Sequence, residues 1–119
     1  MAFTPEEFKK RTKQFALRII RLVQSLPKGV VSDVLGRQLV KSGTSVPANY
    51  RAACRARSRA EFCAKLGIVE EEADESAFWL EMLVEAGLLE ERLVSALIKE
   101  GGELVAMTVA SISTARRAR

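Results

Sequence analysis

The chain has 119 residues, of which 48% are hydrophobic, and it contains seven glycines and three prolines. This length and composition predict one compact domain rather than a disordered chain. Histidine is absent, and the two cysteines, Cys54 and Cys63, lack the CxxC spacing of a metal site. Ser-His-Asp and Cys-His catalysis are therefore excluded, and reduced structural thiols are expected. We predict a protein that is not an enzyme and that needs no cofactor.

The formal net charge of +4 conceals two oppositely charged halves. Residues 1–59 hold 13 Lys and Arg against 3 Asp and Glu, which gives this half a net charge of +10. Residues 60–119 hold 6 against 12, which gives a net charge of −6. This segregation favours either a polyanionic partner or self-association through complementary faces.

The hydropathy pattern favours a cytoplasmic protein without membrane contact. No apolar run approaches the ~20 residues that a membrane-spanning helix needs. The first residues, from Met1 to Glu7, turn acidic early and lack the basic-then-apolar order of a secretion signal.

The first helix is predicted to begin after Thr4, an N-cap that forms a capping box with Glu7, and Pro5 occupies its first turn. Its inward positions recur at spacings of four and three, which places them on one face. They are Phe8, Thr12, Phe15, Ile19, Leu22 and Leu26. The helix ends at Pro27-Lys28-Gly29, since proline has no amide hydrogen to donate and glycine adopts backbone angles that other residues resist.

The second helix is predicted to begin with Ser32 as its N-cap and to run to about Ala56. The ring of Pro47 would press on the carbonyl group of Gly43, where glycine eases local adjustment, so the pattern predicts a kinked but continuous helix. A break at Gly43, with Ser45 as a new N-cap, is the alternative. The residues directed inward are Val34, Leu35, Leu39 and Val46.

A third helix is predicted to start at a capping box formed by Ser58 and Glu61 and to end near Gly87. A fourth is predicted from Glu90 to Arg116, where the pair Gly101-Gly102 indicates a close helix approach or a bend. The third helix directs Phe62, Leu66, Val69, Ala73, Ala77, Leu80 and Val84 inward, and the fourth directs Leu93, Leu97, Leu104, Met107 and Ile112 inward. The prediction is an all-α, up-and-down four-helix bundle that forms a single domain over residues 1–119, with a frayed tail at 116–119.

A basic set is the main candidate site. Three of its arginines lie four residues apart, a further arginine lies between the last two, and the first helix adds three lysines. The set is Arg51, Arg55, Arg57, Arg59, Lys9, Lys10 and Lys13. They would bind the phosphates of RNA or DNA in a salt-dependent and weakly sequence-selective way. Tyr50 would either stack on a base or pack between helices. The alternative pairs the arginines with the carboxylates of residues 70–75 on a neighbouring helix or subunit.

An acidic cluster supports a different hypothesis. Glu71, Glu72, Asp74 and Glu75 lie on the third helix, and Glu100 and Glu103 lie on the fourth. Carboxylates that face each other across helices can hold Mg²⁺ for phosphoanhydride hydrolysis. A magnesium-dependent nucleotide phosphohydrolase that uses Glu71, Glu72, Glu75 and Glu103 is therefore an alternative. The simpler interpretation is an acidic face that is solvated or contacts another subunit.

The adjacent aromatic residues Phe78 and Trp79 must point to different sides of the third helix. Because Ala77, Leu80 and Val84 are predicted to fill its inner stripe, one of the two rings is expected at the edge. An exposed ring there would anchor a subunit contact, and ordinary core packing is the alternative.

Several short motifs resemble the bacterial 23S rRNA-intervening-sequence family of four-helix bundles. They are Pro47-Ala48-Asn49, Ser58-x-x-Glu61-Phe62, Glu72-Ala73-Asp74-Glu75 and Trp79-Leu80-Glu81. The resemblance extends from about Phe8 to Met107. Many members carry an Ile-Ala-Glu-Gly-like run after Pro-Ala-Asn, whereas this chain has Tyr50-Arg51-Ala52-Ala53 and is more basic there.

This resemblance implies a homo-oligomer, often a pentamer in the form of a five-membered ring. It also implies a possible nucleic-acid and protein partner, since the related accessory protein of diversity-generating retroelements binds nucleic acid and a reverse transcriptase through a basic ring surface. The family's name records the location of its genes within 23S rRNA genes. The resulting prediction is a non-enzymatic oligomeric bundle that binds RNA or DNA, with a pure homo-oligomeric assembly scaffold as the alternative.

Overall fold

Four α-helices make up the protein. The computed structural model describes residues 3–118, and the helices are α1 Pro5–Gln24, α2 Val30–Cys54, α3 Arg59–Glu85 and α4 Glu91–Arg117. Each helix packs against the next along the chain, and α4 returns to α1 through the smallest of the four interhelical contacts. No strand occurs in the described part of the chain. The predicted up-and-down four-helix bundle is therefore confirmed, in a body that measures 51 × 23 × 20 Å.

Two helix starts follow the predicted capping chemistry. The Glu7 amide donates to the Thr4 hydroxyl oxygen at 3.1 Å, and the Glu61 amide donates to the Ser58 hydroxyl oxygen at 3.0 Å. The Glu61 carboxylate in turn accepts from the amide of Arg57 at 2.7 Å. The two bonds to hydroxyl oxygens satisfy amides that have no carbonyl partner inside their helices, which stabilises the first turns. The return bond of the predicted capping box at Ser58 goes instead to Arg57, the residue before the cap.

The start of α2 differs from the prediction. The helix begins at Val30 with Gly29 as its N-cap, and Ser32, predicted as the cap, lies buried inside the helix. Val34, predicted to face inward, has 54% of its surface exposed. The reason is that small residues form the inner face of α2 where α1 lies close, so the large apolar residues at its start are turned outward.

Gly43 shows how close α1 and α2 lie. A β-carbon at Gly43 would stand 2.6 Å from Cδ1 of Ile19, and one at Gly36 would stand 3.0 Å from Cγ1 of Val23. Glycine removes the side-chain bulk that would otherwise hold two helices further apart. The helix also continues without interruption through Gly43 and Pro47, so the alternative of a break at Gly43 is wrong. The kink predicted from Pro47 stays a prediction.

The core follows the predicted faces, with shifts of one position on α3 and α4. On α3 the buried residues include Ser76 and Leu83, while the predicted Ala77 and Val84 are partly exposed. On α4 the predicted Leu93 is 51% exposed, and its neighbour Val94 is buried instead. These shifts occur because packing selects one phase of the helix, and a leucine one residue out of phase is turned about 100° away.

Gly101 lies at the contact between α4 and α1. A β-carbon at Gly101 would lie 3.4 Å from the ring of Phe15, an ordinary van der Waals distance, whereas Gly102 faces open space. The predicted close approach or bend at this pair stays a prediction. At its end, α4 includes Arg116 and Arg117, which the sequence analysis placed in a frayed tail, and Ala118 is the C-cap. The last residue of that predicted tail, position 119, lies outside the described residues.

An ion pair between α1 and α4 joins the basic half of the chain to the acidic half. Nε of Arg11 on α1 donates to Oε2 of Glu100 on α4 at 3.0 Å, and the guanidinium group also lies 3.4 Å from Oε1 of Glu103. The hydrogen bond to Glu100 is the main reason that the pKa of Arg11 is raised. Glu100 is the more enclosed partner, since its side chain is only 18% exposed.

We expect Arg11→Met to lower the free energy of unfolding by about 1–2 kcal/mol. Methionine keeps the unbranched apolar stem of the side chain but leaves the Glu100 carboxylate without its charged partner, and an unpaired, partly buried carboxylate is costly. Urea unfolding monitored by the fluorescence of Trp79, the single tryptophan, measures the change. The control is Arg92→Met, because the pair between Arg92 and Glu90 is largely exposed and should contribute little. Equal losses in the two variants would contradict the prediction.

Candidate nucleic-acid interface

Four cations of α1 and α2 meet along one hollow of about 420 Å³. Lys9 and Lys13 are one helical turn apart on α1, Arg51 lies in the last turn of α2, and Arg55 is the C-cap of α2. The close packing of the two helices brings the four side chains together, and Thr44, Pro47 and Ala48 complete the lining. Lys9, Lys13, Arg51 and Arg55 are together called the basic groove below.

The charges of the basic groove are almost unpaired within the protein. In the described part of the chain, no carboxylate lies within 4.0 Å of the charged groups of Lys13, Arg51 or Arg55. Lys9 lies 3.8 Å from Glu6, and this exposed pair contributes little. The alternative in which the arginines pair with residues 70–75 of a neighbouring helix is therefore not found within one chain. The groove is a concentrated positive surface that faces solvent.

A second hollow of about 600 Å³ extends this positive surface toward α3. It shares Arg51 and Arg55 with the basic groove and adds Arg57 and Lys65. Sequence reasoning missed Lys65, because it lies in the acidic half of the chain and only the packing of α2 against α3 places it beside the arginines. Glu61 also lines the hollow, with its carboxylate held by the Arg57 amide.

Two members of the predicted basic set lie elsewhere. Arg59 lines another hollow of about 540 Å³ with Lys9, Tyr50 and Cys54, and this hollow does not include Arg51 or Arg55. Lys10 is exposed on α1 but does not line the basic groove. Consecutive helical residues point about 100° apart, so Lys10 cannot share the direction of Lys9. The spacing of four from Arg55 to Arg59 does not hold in space either, because α2 ends at Cys54.

Tyr50 packs between helices and does not stand ready to stack on a base, the two alternatives that the sequence left open. Its ring is buried and stacks on Phe8, with a distance of 4.2 Å between the ring centroids. Burial raises the pKa of its hydroxyl group, with the hydrogen bond to Cys54 as a further cause. The ring is therefore part of the core and not a platform for a base.

The carboxylates of the magnesium hypothesis do not converge. Within residues 3–118, no group of three or more Asp, Glu or Cys side chains is placed to hold a metal ion. Glu103 instead contacts Arg11 across the α1–α4 contact. Glu72 is partly buried, and its pKa is raised first by this burial and then by the neighbouring charge of Glu75. The four-carboxylate arrangement predicted from the sequence is thus wrong for a single chain.

Phe78 and Trp79 divide as expected between surface and core. Trp79 packs against the core cluster, and its buried Nε1 has no hydrogen-bond partner. Phe78 is 49% exposed and contacts Trp79 edge to face, with ring centroids 5.0 Å apart. Trp79 is therefore the aromatic residue at the edge of the inner stripe, and Phe78 is the exposed aromatic residue, which lies on the outer side of α3.

Comparison with known proteins agrees with the motifs and with the fold. The family model described as 23S rRNA-intervening sequence protein matches residues 6–110. A crystal structure from Bacteroides thetaiotaomicron, described as a protein with unknown function from the S23 ribosomal protein family, is similar with a TM-score of 0.78 and 31% sequence identity. That match covers 88% of this chain and 97% of the other. No curated protein matches the chain.

Among residues 3–118, no helix combines the length and the apolar character that crossing a membrane requires.

Proposed function

We propose that this chain, which belongs to the 23S rRNA-intervening sequence protein family, binds the phosphate backbone of nucleic acids through its basic groove. The observation that carries the proposal is the convergence of four cations along one solvent-facing hollow. Among the described residues, Lys9 alone of the four lies near a carboxylate. An isolated cluster of like charges destabilises a fold, and a polyanion relieves this repulsion when it binds. The protein acts as a binding module without catalysis of its own.

The groove supports contact with the backbone rather than with bases. Lysine and arginine neutralise phosphates and release condensed counterions, so affinity falls steeply as salt rises. Tyr50, which could have stacked on a base, is buried against Phe8. Backbone contacts position a protein on a nucleic acid but carry little sequence information. We therefore expect similar affinities for different sequences, and binding to both RNA and DNA.

The triple variant Lys13→Ala/Arg51→Ala/Arg55→Ala tests this function. We expect its affinity for duplex DNA and for structured RNA to fall at least ~10-fold at low salt, as three phosphate contacts are lost. The slope of log affinity against log salt on duplex DNA should become shallower by about 2–3. Fluorescence anisotropy of labelled nucleic acid, measured over a series of salt concentrations, gives both values.

The matched control removes three exposed cations outside the basic groove, Arg21, Lys28 and Lys99. Because its net charge equals that of the groove variant, it isolates position from overall charge. The proposal requires the groove variant to lose far more affinity than the control. Equal losses would show that only net charge matters, and unchanged binding in the groove variant would reject the site.

A second candidate function is that of a homo-oligomeric assembly scaffold. The observation that favours it is the number of large apolar side chains left at the surface of α2 and α3. Six of the nine exposed large hydrophobic residues of the described chain lie there: Val30, Val31, Val34, Ile68, Phe78 and Met82. Such a concentration of apolar surface is typical of a protein–protein contact. Light scattering tests this candidate, with association at micromolar concentration expected and a monomer as the contrary result.

A further inference from the structure

We propose that the outer face of α2 in one copy of this chain packs antiparallel against the outer face of α3 in the next copy. The proposal rests on the assembly candidate above and specifies which surfaces meet and in which register. It arises from the order of residue types along the two faces, each of which is uncovered in a single chain.

The outer face of α2 carries Val30, Val34, Arg37 and Lys41, and all four residues are exposed. Their spacing of four, three and four places them in one row along the helix. The row lies opposite the buried residues of α2, of which Leu39 is fully enclosed. From its amino end to its carboxyl end, the row is apolar and then basic.

The outer face of α3 carries Glu71, Glu75, Phe78 and Met82, which are also all exposed. Their spacing is again four, three and four, so they too form one row. From its amino end to its carboxyl end, this row is acidic and then apolar. It therefore has the same spacing as the row of α2 and the complementary order of residue types.

The two rows match in one relative direction. If the helices run antiparallel, each valine meets an apolar residue and each cation meets a carboxylate. The pairs are Val30 with Met82, Val34 with Phe78, Arg37 with Glu75, and Lys41 with Glu71. A parallel arrangement would instead place both glutamates against the valines and would leave those charges unpaired at an apolar contact, which is unfavourable.

The chemistry of the four pairs supports association in water. Val30 and Phe78 are exposed by 78% and 49%, so both gain from leaving solvent. The alternation of four and three is the spacing with which helices interlock side chains in knobs-into-holes packing. Arg37 and Glu75 form no ion pair within the described part of their own chain. Opposite charges beside the apolar pairs fix the register and disfavour the parallel alternative.

The contact has a consequence for the assembly. It joins two different faces, so it forms either a two-fold dimer, in which α2 of each copy meets α3 of the other, or a heterologous contact that builds a closed ring or an open chain. Arg51 and Arg55 of the basic groove lie further along α2, beyond the four matched pairs. Successive copies would therefore carry their basic grooves in one repeated arrangement.

Charge reversal in the full-length protein tests the register. Arg37→Glu and Glu75→Lys each place two like charges together, so each variant alone should shift the association midpoint to at least 10-fold higher protein concentration. The double variant Arg37→Glu/Glu75→Lys restores an opposite pair and should recover association. Lys41 is less suitable, because it also acts on Glu72 of its own chain. Glu91→Lys on α4, an exposed carboxylate reversed with the same change in net charge as Glu75→Lys, is the control for that variant.

Analytical ultracentrifugation over a concentration series measures the association, and circular dichroism confirms that each variant is folded. Recovery in the double variant supports the proposed register. The proposed register is overturned if both single variants associate like the wild type, or if the double variant associates no more strongly than either single variant. The scaffold function would stand in both cases. A wild-type protein that stays monomeric at every concentration overturns both the register and the scaffold function. The nucleic-acid function is tested separately, by the variants of the basic groove.

Discussion

Replacing Phe8 with alanine is expected to lower the free energy of unfolding by about 3–5 kcal/mol, the usual cost of truncating a buried phenylalanine. Phe8 has no exposed surface, stacks on Tyr50 and meets Phe3 edge to face at 5.4 Å. Alanine would leave a cavity between α1 and α2, and both neighbouring rings would lose a packing partner. This is a large fraction of the roughly 6–18 kcal/mol expected for a domain of this length.

Urea unfolding followed by Trp79 fluorescence measures this loss. The control is Leu17→Ala on the same helix, because Leu17 lies at the surface and its truncation leaves no cavity. We expect the midpoint of the control to stay close to that of the wild type, with the same slope in urea. A Phe8 variant as stable as the control would mean that the aromatic stack does not form part of the core.

Gly43→Val is expected to destabilise the protein by about 3 kcal/mol, near the upper end for overpacking a core. Even the first added carbon would stand 2.6 Å from Cδ1 and 3.1 Å from Cγ2 of Ile19. Ile19 is fully buried, and its Cβ, which rotation of Cδ1 does not move, would stand only 3.4 Å from the added carbon. The cost exceeds the benefit of replacing a helical glycine, which is below ~1 kcal/mol.

Gly102→Val is the matched control for this substitution. Gly102 is also helical, but apart from its chain neighbours and the nearby backbone of its own helix, no atom of the described residues would lie within 4 Å of its added β-carbon. This variant should be as stable as the wild type or slightly more stable, since valine is a better helix former than glycine. Thermal unfolding by circular dichroism compares the two variants. Loss of stability in both would point to a general effect of valine in these helices and would contradict the proposed close contact of Gly43 with Ile19.

The Gly43 contact matters for the candidate site as well as for stability. The same approach of α1 to α2 places Lys9 and Lys13 beside Arg51 and Arg55. A Gly43→Val protein that stays folded should therefore bind nucleic acid more weakly, although no groove residue has changed. Stability and site geometry depend here on one small residue.

Local chemistry explains which features could be predicted. Thr4 and Ser58 cap their helices through hydrogen bonds to residues three positions away, so the signal lies within a few residues of sequence. The alternating apolar spacing of α1 placed Phe8, Thr12 and Ile19 correctly, because a strong pattern admits only one phase. The sequence predicts Ser32 as the N-cap of α2, whereas the helix begins after Gly29. Gly29 caps without a side-chain hydrogen bond, so the sequence carries no capping signal at this position.

The four helices, their order and the opposite charges of the two halves can be predicted from short segments, because helix periodicity, capping and charge are local properties. The packing of the helices is needed to show that Lys65 joins the arginines, that Lys10 and Arg59 do not line the basic groove, and that Tyr50 is buried. These outcomes depend on the separation and rotation of packed helices. Separation and rotation are set by contacts between residues far apart in the chain, such as Gly43 with Ile19.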